Sequence, residues 1–198
     1  MEVILIPARL QMSGLSAKDA LSIYGVFTGM ALPLILFPAT ITNSAAVMLL
    51  PSITELQTLG YQKRIQYVVH QIFRYCLLFG GFCMILFLFF GEFFGNFLFH
   101  SQTAGTYIHT MAYICPFLYL NTTLTSVLNG LGKSGTCLIH SMISICIRVC
   151  FVLFAIPVFG IRGYLYGILC GELVLTLLHM YVLSEKYFPY RHSDKNGL

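Results

Sequence analysis

The chain has few charged residues and no tryptophan. Asp, Glu, Lys and Arg together make up 9 % of its 198 residues, whereas a soluble domain usually carries about 25 %. Hydrophobic residues make up 58 %, and the mean hydropathy is +0.82. A chain with so little charge cannot cover a water-exposed surface. The composition excludes an ordinary soluble domain and predicts a polytopic membrane protein.

The sequence also lacks the residue patterns of most catalytic and metal sites. Its two aspartates, Asp19 and Asp194, lie outside the apolar runs, so Ser–His–Asp chemistry has no support. The histidines show no HExxH or paired-ligand spacing, and we expect that they do not converge. The seven cysteines form no CxxC pair and are interpreted as packing residues. The net charge of +4 forms no basic face. We therefore predict no enzyme, no cofactor, no metal site and no nucleic-acid partner.

A long stretch without Asp, Glu, Lys or Arg covers residues 20–54 and nevertheless contains Pro33, Pro38 and Pro51. It exceeds the roughly 20 residues that a helix needs to cross a bilayer. A proline inside a soluble helix costs about 3 kcal/mol, but in a membrane bundle neighbouring groups can satisfy the carbonyls that it frees. The three prolines predict kinks, which are typical of a transporter whose helices bend around a cavity.

Apolar runs predict one all-α bundle of about five membrane spans, in contact with membrane lipid. The predicted spans cover residues 24–50, 72–90, 107–128, 137–157 and 164–184, and residues 185–198 form a solvated tail. Residues 55–71 carry apolar side chains at helical spacing. This segment fits a helix on the membrane surface and fits an extension of the second span equally well.

The distribution of Lys and Arg predicts the orientation of the bundle. Three basic residues, Arg9, Lys18 and Arg162, lie on one side of the spans. Seven lie on the other side: Lys63, Arg64, Arg74, Lys133, Lys186, Arg191 and Lys195. This excess places the 51–71 loop, the 130–136 loop and the C-terminus in the cytoplasm, with the bundle in the plasma membrane. The first span then enters from outside, which predicts that a preceding part is missing.

Arg148 and Glu172 each lie deep in a predicted span, where a charge is expensive and usually faces a partner or a wet cavity. Counted at about 1.5 Å per residue, Arg148 is roughly 16 Å above the cytoplasmic start of its span and Glu172 about 12 Å below the external start of its own. The two depths nearly match in a core of about 30 Å. Two interpretations stay open. The two residues form an ion pair that only holds two helices in register, or Arg148 faces the cavity and contacts an anionic group of the substrate.

Other polar side chains inside the spans are Asn43, Asn121 with Thr122 and Thr123, and Asn129. Asn and Thr inside membrane spans often bond across helices, and we interpret most of this set in that way. The segment LNGLGK at residues 128–133 contains two glycines but lacks the Walker spacing. It predicts a helix end followed by a tight turn.

Four segments resemble the stage V sporulation protein B family, also described as the polysaccharide biosynthesis or oligosaccharide flippase family. They are IPARLQ at 6–11, YGVFTGMALP leading to LPSITE within 24–55, LNGLGK at 128–133, and the stretch 157–172 with GIRGY. The resemblance covers nearly the whole chain. The family belongs to the multidrug/oligosaccharidyl-lipid/polysaccharide exporter superfamily, which also contains the lipid II flippases and the MATE drug exporters.

The resemblance implies a transporter of two six-helix lobes around a central cavity that opens alternately to each face. The implied cargo is a lipid-linked oligosaccharide or polysaccharide precursor, for the cell wall or spore cortex. This chain then corresponds to the C-terminal lobe, and a separate N-terminal lobe is the implied partner. Asn43, Arg148 and Glu172 are carried over as candidate cavity or gate residues.

Three alternatives stay open beside this interpretation. A MATE-like exporter driven by Na⁺ or H⁺ would favour acidic residues in the cavity, and this chain offers Glu172 there. A truncated fragment without transport activity would leave polar interface groups facing lipid. A membrane enzyme is the weakest alternative, because the loops hold no catalytic constellation.

Overall fold

The computed structural model of the chain describes residues 2–187, with side chains over residues 5–184. Every regular element among these residues is helical, which confirms the all-α prediction. The predicted tail is outside the described residues from residue 188 onward. The α-helices are α1 (Glu2–Met12), α2 (Ala17–Val26), α3 (Leu32–Leu36), α4 (Ala39–Thr58), α5 (Gln62–Phe99), α6 (Gln102–Met111), α7 (Cys115–Gly130), α8 (Ser134–Phe154), α9 (Ile156–Phe159) and α10 (Ile161–Tyr187).

Five helical segments are long and apolar enough to cross a membrane, which confirms a multi-pass bundle. They are Ala17–Leu36, Gln62–Phe99, Gln102–Gly130, Ser134–Phe154 and Ile161–Ser184. At 38 residues, α5 is about 57 Å long, so it extends well beyond a hydrocarbon core of about 30 Å. Because α4 ends at Thr58 and α5 begins at Gln62, residues 62–71 extend the second span. The segment therefore does not form a separate helix on the membrane surface, which was the other interpretation.

The predicted first span, 24–50, is not a single regular helix. A π-helical segment (Phe27–Ala31) joins α2 to α3, and its end is marked by a hydrogen bond from the Leu32 N–H to the Phe27 carbonyl. Pro33 follows within the first turn of α3. The chain breaks between α3 and α4 at Pro38, which has no N–H to continue the ladder. Pro51 lies inside α4, which continues past it.

Cross-helix contacts show that α2 to α4 together make one bent pass beside α6 and α7. Phe27 packs edge-on against Tyr107, with ring centroids 6.4 Å apart. Farther along, the Tyr119 hydroxyl donates to the Ile35 carbonyl over 2.8 Å. The two segments therefore run in the same direction. The pass begins with the apolar segment Ala17–Leu36 and continues into α4, which packs against α7.

Several helix pairs pack closely at glycines. A Cβ added to Gly95 of α5 would lie 2.3 Å from the amide nitrogen of Gly105 in α6. On α10, Gly163, Gly167 and Gly171 are spaced four residues apart and lie against α8, where an added Cβ would come within 2.6 to 3.0 Å of α8 or of the residue after it. Small residues on one face allow helix backbones to pack closely in a membrane.

The segment LNGLGK forms the predicted helix end and turn. The Lys133 N–H bonds the Leu128 carbonyl over 2.9 Å, and the Gly132 N–H bonds the Asn129 carbonyl over 3.0 Å. Gly132 has φ +73°, the left-handed conformation that favours glycine. This Schellman motif satisfies the last carbonyls of α7, and it reverses the chain directly into α8.

Candidate functional site

Helix α7 is the central element of the bundle, and its polar side chains hydrogen-bond to the helices around it. Tyr119 bonds α3, and the Ser126 hydroxyl donates to the Ala46 carbonyl of α4. The Thr123 hydroxyl lies 3.4 Å from the Cys76 Sγ of α5. Asn121 bonds α10. Polar groups in lipid find no water, so each of these bonds fixes a neighbour to α7.

The most polar of these contacts joins Asn121, Glu172 and Thr176. The Asn121 Nδ2 donates to the Glu172 carbonyl over 2.9 Å and to the Glu172 Oε2 over 2.7 Å. The Thr176 hydroxyl lies 2.9 Å from the Asn121 Oδ1 and 2.8 Å from the Glu172 carbonyl. Asn121 is 4 % exposed and Thr176 is also 4 % exposed. The predicted site residue Glu172 is therefore half-buried between α7 and α10, with an amide donor on its carboxylate.

Arg148 lies on α8 beside the turn of α10 that carries Glu172. Its Cγ would be 3.0 Å from a Cβ added to Gly171. One turn earlier on α8, the Ser144 hydroxyl donates to the Gly171 carbonyl over 3.1 Å. Arg148 thus lies against Gly171, the residue before Glu172, and the predicted match in membrane depth stays a prediction. The roles of both residues stay predictions.

Asn43 lies apart from these two residues, in a groove between α4 and α7. The groove is open, and polar side chains from both helices line it. Apart from Asn43, they are Thr122, Thr125, Ser126 and Asn129. The Thr40 hydroxyl bonds the Phe37 carbonyl just before α4, and the Ser44 hydroxyl bonds the Thr40 carbonyl within α4. No hydrogen bond joins the exposed Asn43 amide to another of the described residues. The structure does not bring Asn43 together with Arg148 and Glu172.

The expectation that the histidines do not converge is wrong for His140 and His179. Their ring centroids are 5.2 Å apart, with a 42° angle between the planes. The two residues come from α8 and α10, at sequence positions too far apart for a spacing motif to reveal. No three His, Cys, Asp or Glu side chains within the described residues are arranged to hold a metal ion.

Two features of the site were not recognised in the sequence. Asn121 belonged to a polar set interpreted generally as helix-to-helix bonding, and nothing identified Glu172 as its partner. The glycines at positions 163, 167 and 171 form a GxxxGxxxG pattern, which marks a face for close helix packing. That pattern would have predicted that α10 packs against a neighbour through this face, beside Glu172.

Two curated proteins are similar to this chain. Stage V sporulation protein B of Bacillus subtilis (strain 168) is 30 % identical over 186 residues, which are 93 % of this chain and 36 % of that protein. An uncharacterized membrane protein of Methanocaldococcus jannaschii is 25 % identical over 161 residues, or 80 % of this chain and 32 % of that protein. The match to stage V sporulation protein B confirms the resemblance predicted from the motifs.

The chain spans about a third of the length of these curated relatives. No family model and no solved structure matches it. The similarity to the uncharacterized membrane protein, together with the five apolar helices, supports a multi-pass membrane protein.

Proposed function

We propose that the chain is the C-terminal lobe of a membrane transporter that moves a lipid-linked oligosaccharide or polysaccharide precursor across the plasma membrane, without covalent chemistry. The similarity to stage V sporulation protein B supports a cargo used in building the cell wall or spore cortex. Transport would occur by alternating access, as this lobe rocks against a separate N-terminal lobe, and the C-terminus would lie in the cytoplasm.

The observation that carries this proposal is the exposed Asn43 amide in the groove between α4 and α7. Ala46, Val47 and Leu50 also line the groove, and the Ser126 hydroxyl is bonded within the bundle. A polar group at membrane depth is costly without a partner. The Asn43 amide can both donate and accept hydrogen bonds, and sugar hydroxyls and pyrophosphate oxygens are suitable partners for it. The groove thus fits the wall of a water-filled cavity.

Thiol labelling tests whether this groove lines a water-filled cavity. The experiment uses a variant in which all seven native cysteines are replaced. A membrane-impermeant maleimide reacts with thiolates, which form in water and not in lipid. We expect Asn43→Cys to be labelled. The matched control is Phe82→Cys, a position 63 % exposed on α5 that we expect to face lipid. Equal labelling of the two positions would mean that the groove is not a water-filled cavity.

Transport is tested in vesicles that contain the chain with and without the partner lobe. A fluorescent lipid-linked disaccharide is placed in both leaflets, and a quencher added outside reports the fraction that crosses. We expect crossing with both lobes together, and its loss in Asn43→Leu. Export of a cationic dye by these vesicles, in place of lipid crossing, would favour the MATE-like alternative. Glu172 supports that alternative because it is a carboxylate inside the membrane. Absence of both activities would favour a fragment without transport.

A further inference from the structure

We propose that His140 and His179 form a proton-binding site between α8 and α10, in which the two imidazole rings share one proton. This inference goes beyond the proposed transport, since it requires no cargo. The rings meet with centroids 5.2 Å apart. His140 is 7 % exposed and His179 is 0 % exposed. Two titratable rings from different helices are thus enclosed side by side.

The nitrogen atoms of this pair have unused hydrogen-bonding capacity. Nδ1 of His140 and both ring nitrogens of His179 are buried and have no hydrogen-bond partner among the described residues. Buried polar atoms are normally bonded, so such a group calls for an explanation. A neutral imidazole has one donor and one acceptor, whereas an imidazolium has two donors. The N–H of one ring can donate to the bare nitrogen of the other, and an added proton makes that bond charge-assisted and therefore stronger.

A proton fits this pair better than a metal ion does. Structural and catalytic zinc sites use at least three protein ligands. No third His, Cys, Asp or Glu joins the two rings within the described residues. Cys137 is one turn before His140, but its Sγ is directed to the Thr125 carbonyl at 3.8 Å. A shared proton requires only two nitrogen atoms.

The charged groups around the pair are few and lie at a distance along the helices. On α8 they are Lys133, just before the helix, and Arg148, two turns beyond His140. On α10, Glu172 is two turns before His179 and bonds Asn121, while Glu185 and Lys186 lie outside the described side chains. Helix α7 has no charged residue, and its titratable groups are Cys115 and Tyr119. On α5, His70 borders the groove that also contains Met180 and Leu183.

This environment opposes a second proton on the pair. No carboxylate among the described side chains adjoins the rings to stabilise a doubly charged pair, and two imidazolium ions at this separation repel each other. The pair is near the end of α8 and α10 that we assign to the cytoplasm. Its proton would therefore come from cytoplasmic water, and the resulting N–H···N bond would hold α8 to α10 at that end.

The experiment is an NMR titration of the ¹⁵N-histidine-labelled chain in lipid nanodiscs, from about pH 8 to about pH 4, the range in which imidazoles usually titrate. The variants His140→Gln and His179→Gln assign the two ring signals. His100→Gln, at an exposed helix end, is the matched control. Gln variants at His70, His109 and His192 assign the remaining signals, so that if His140→Gln or His179→Gln does not fold, its ring is assigned by difference.

We expect the ring signals of His140 and His179 to move together in a single transition that takes up one proton for the two rings. In His140→Gln, the His179 ring should lose that transition, and His100→Gln should leave it unchanged. Two independent transitions with one proton each would overturn the proposal. So would titration of one ring while the other stays unaffected, or no change in either ring.

Discussion

The Asn121 side chain holds Glu172 by two hydrogen bonds from one nitrogen, over 2.9 Å to the backbone carbonyl and over 2.7 Å to the carboxylate. This contact joins α7 to α10 at a point where both helices cross the membrane. It also gives the Glu172 carboxylate an amide donor. The bond to the carboxylate is of the stronger, charge-assisted kind when Glu172 is ionised.

Replacing Asn121 by Ala should destabilise the bundle, because it leaves the Glu172 carboxylate and the Thr176 hydroxyl without their amide partner. We expect a loss of about 1–3 kcal/mol, the cost of an unsatisfied buried polar group. Thermal unfolding of the detergent-solubilised chain, followed by size-exclusion chromatography, measures the loss. Asn96→Ala, at an exposed position of α5, is the control and should leave the unfolding temperature unchanged. Equal effects in the two variants would contradict a special role for Asn121.

The hydroxyl of Tyr119 should stabilise the break at Pro38. It is 0 % exposed and donates to the Ile35 carbonyl, close to the point where the proline interrupts the helix. Tyr119→Phe removes this donor with little change in shape, and we expect a loss of about 1–3 kcal/mol. Tyr113→Phe, at a position 47 % exposed, serves as the matched control. Thermal unfolding of both variants in the same detergent tests the difference, and an unfolding temperature of Tyr119→Phe equal to the wild type would refute it.

Gly95 should tolerate no larger residue where α5 meets α6. A Cβ there would come within 2.4 Å of two backbone atoms of Gly105, so the helices would have to separate. We expect Gly95→Ala to cost about 1–3 kcal/mol, the usual range for overpacking. Gly81→Ala on the same helix meets no atom within 4 Å, and a gain of up to about 1 kcal/mol from helix propensity is expected. Parallel unfolding curves of the two variants decide the matter, since similar curves would mean that the close approach has no energetic weight.

If the chain works as proposed, Arg148→Ala should abolish translocation of the lipid-linked sugar by the proposed two-lobe transporter while the protein still folds. The reason is that a cation at membrane depth beside Glu172 suits an anionic phosphate group of the cargo. The vesicle assay described above measures translocation, and size-exclusion chromatography shows whether the variant is folded. Arg162→Ala, exposed at the start of α10, is the control. Wild-type transport by Arg148→Ala would leave Arg148 with a structural role alone.

The sequence was sufficient to predict the helical class, because runs of apolar residues and the lack of charge are properties of the chain itself. It also predicted the turn after Leu128, since a left-handed glycine leaves a local signature. The geometry of the first span was harder to predict. Prolines at 33, 38 and 51 look alike in the sequence, yet the chain breaks at Pro38, where Tyr119 supplies a donor to a nearby carbonyl. Tyr119 is eighty-four positions from Ile35 in the sequence, so no local pattern reveals this contact.

The candidate site could be predicted only in part for the same reason. A charge inside an apolar run identifies Glu172 and Arg148 without knowledge of the fold. The partner of Glu172 and the meeting of His140 with His179 depend on which helix faces are in contact. A spacing rule cannot reveal them, because the residues in each pair come from separate helices. The GxxxGxxxG face of α10 was the one local signal that indicated such a contact.

The bonds that α7 makes to α3, α4, α5 and α10 limit how this bundle can move. Inside the bundle, away from the open groove, the groups of a broken bond of this kind find no water molecule to replace the lost partner. Any motion that slid one of these helices past α7 would therefore leave polar groups without partners. The helices should consequently travel as a single rigid block, and the flexibility needed for alternating access would have to be located at its edges, where it meets a second lobe.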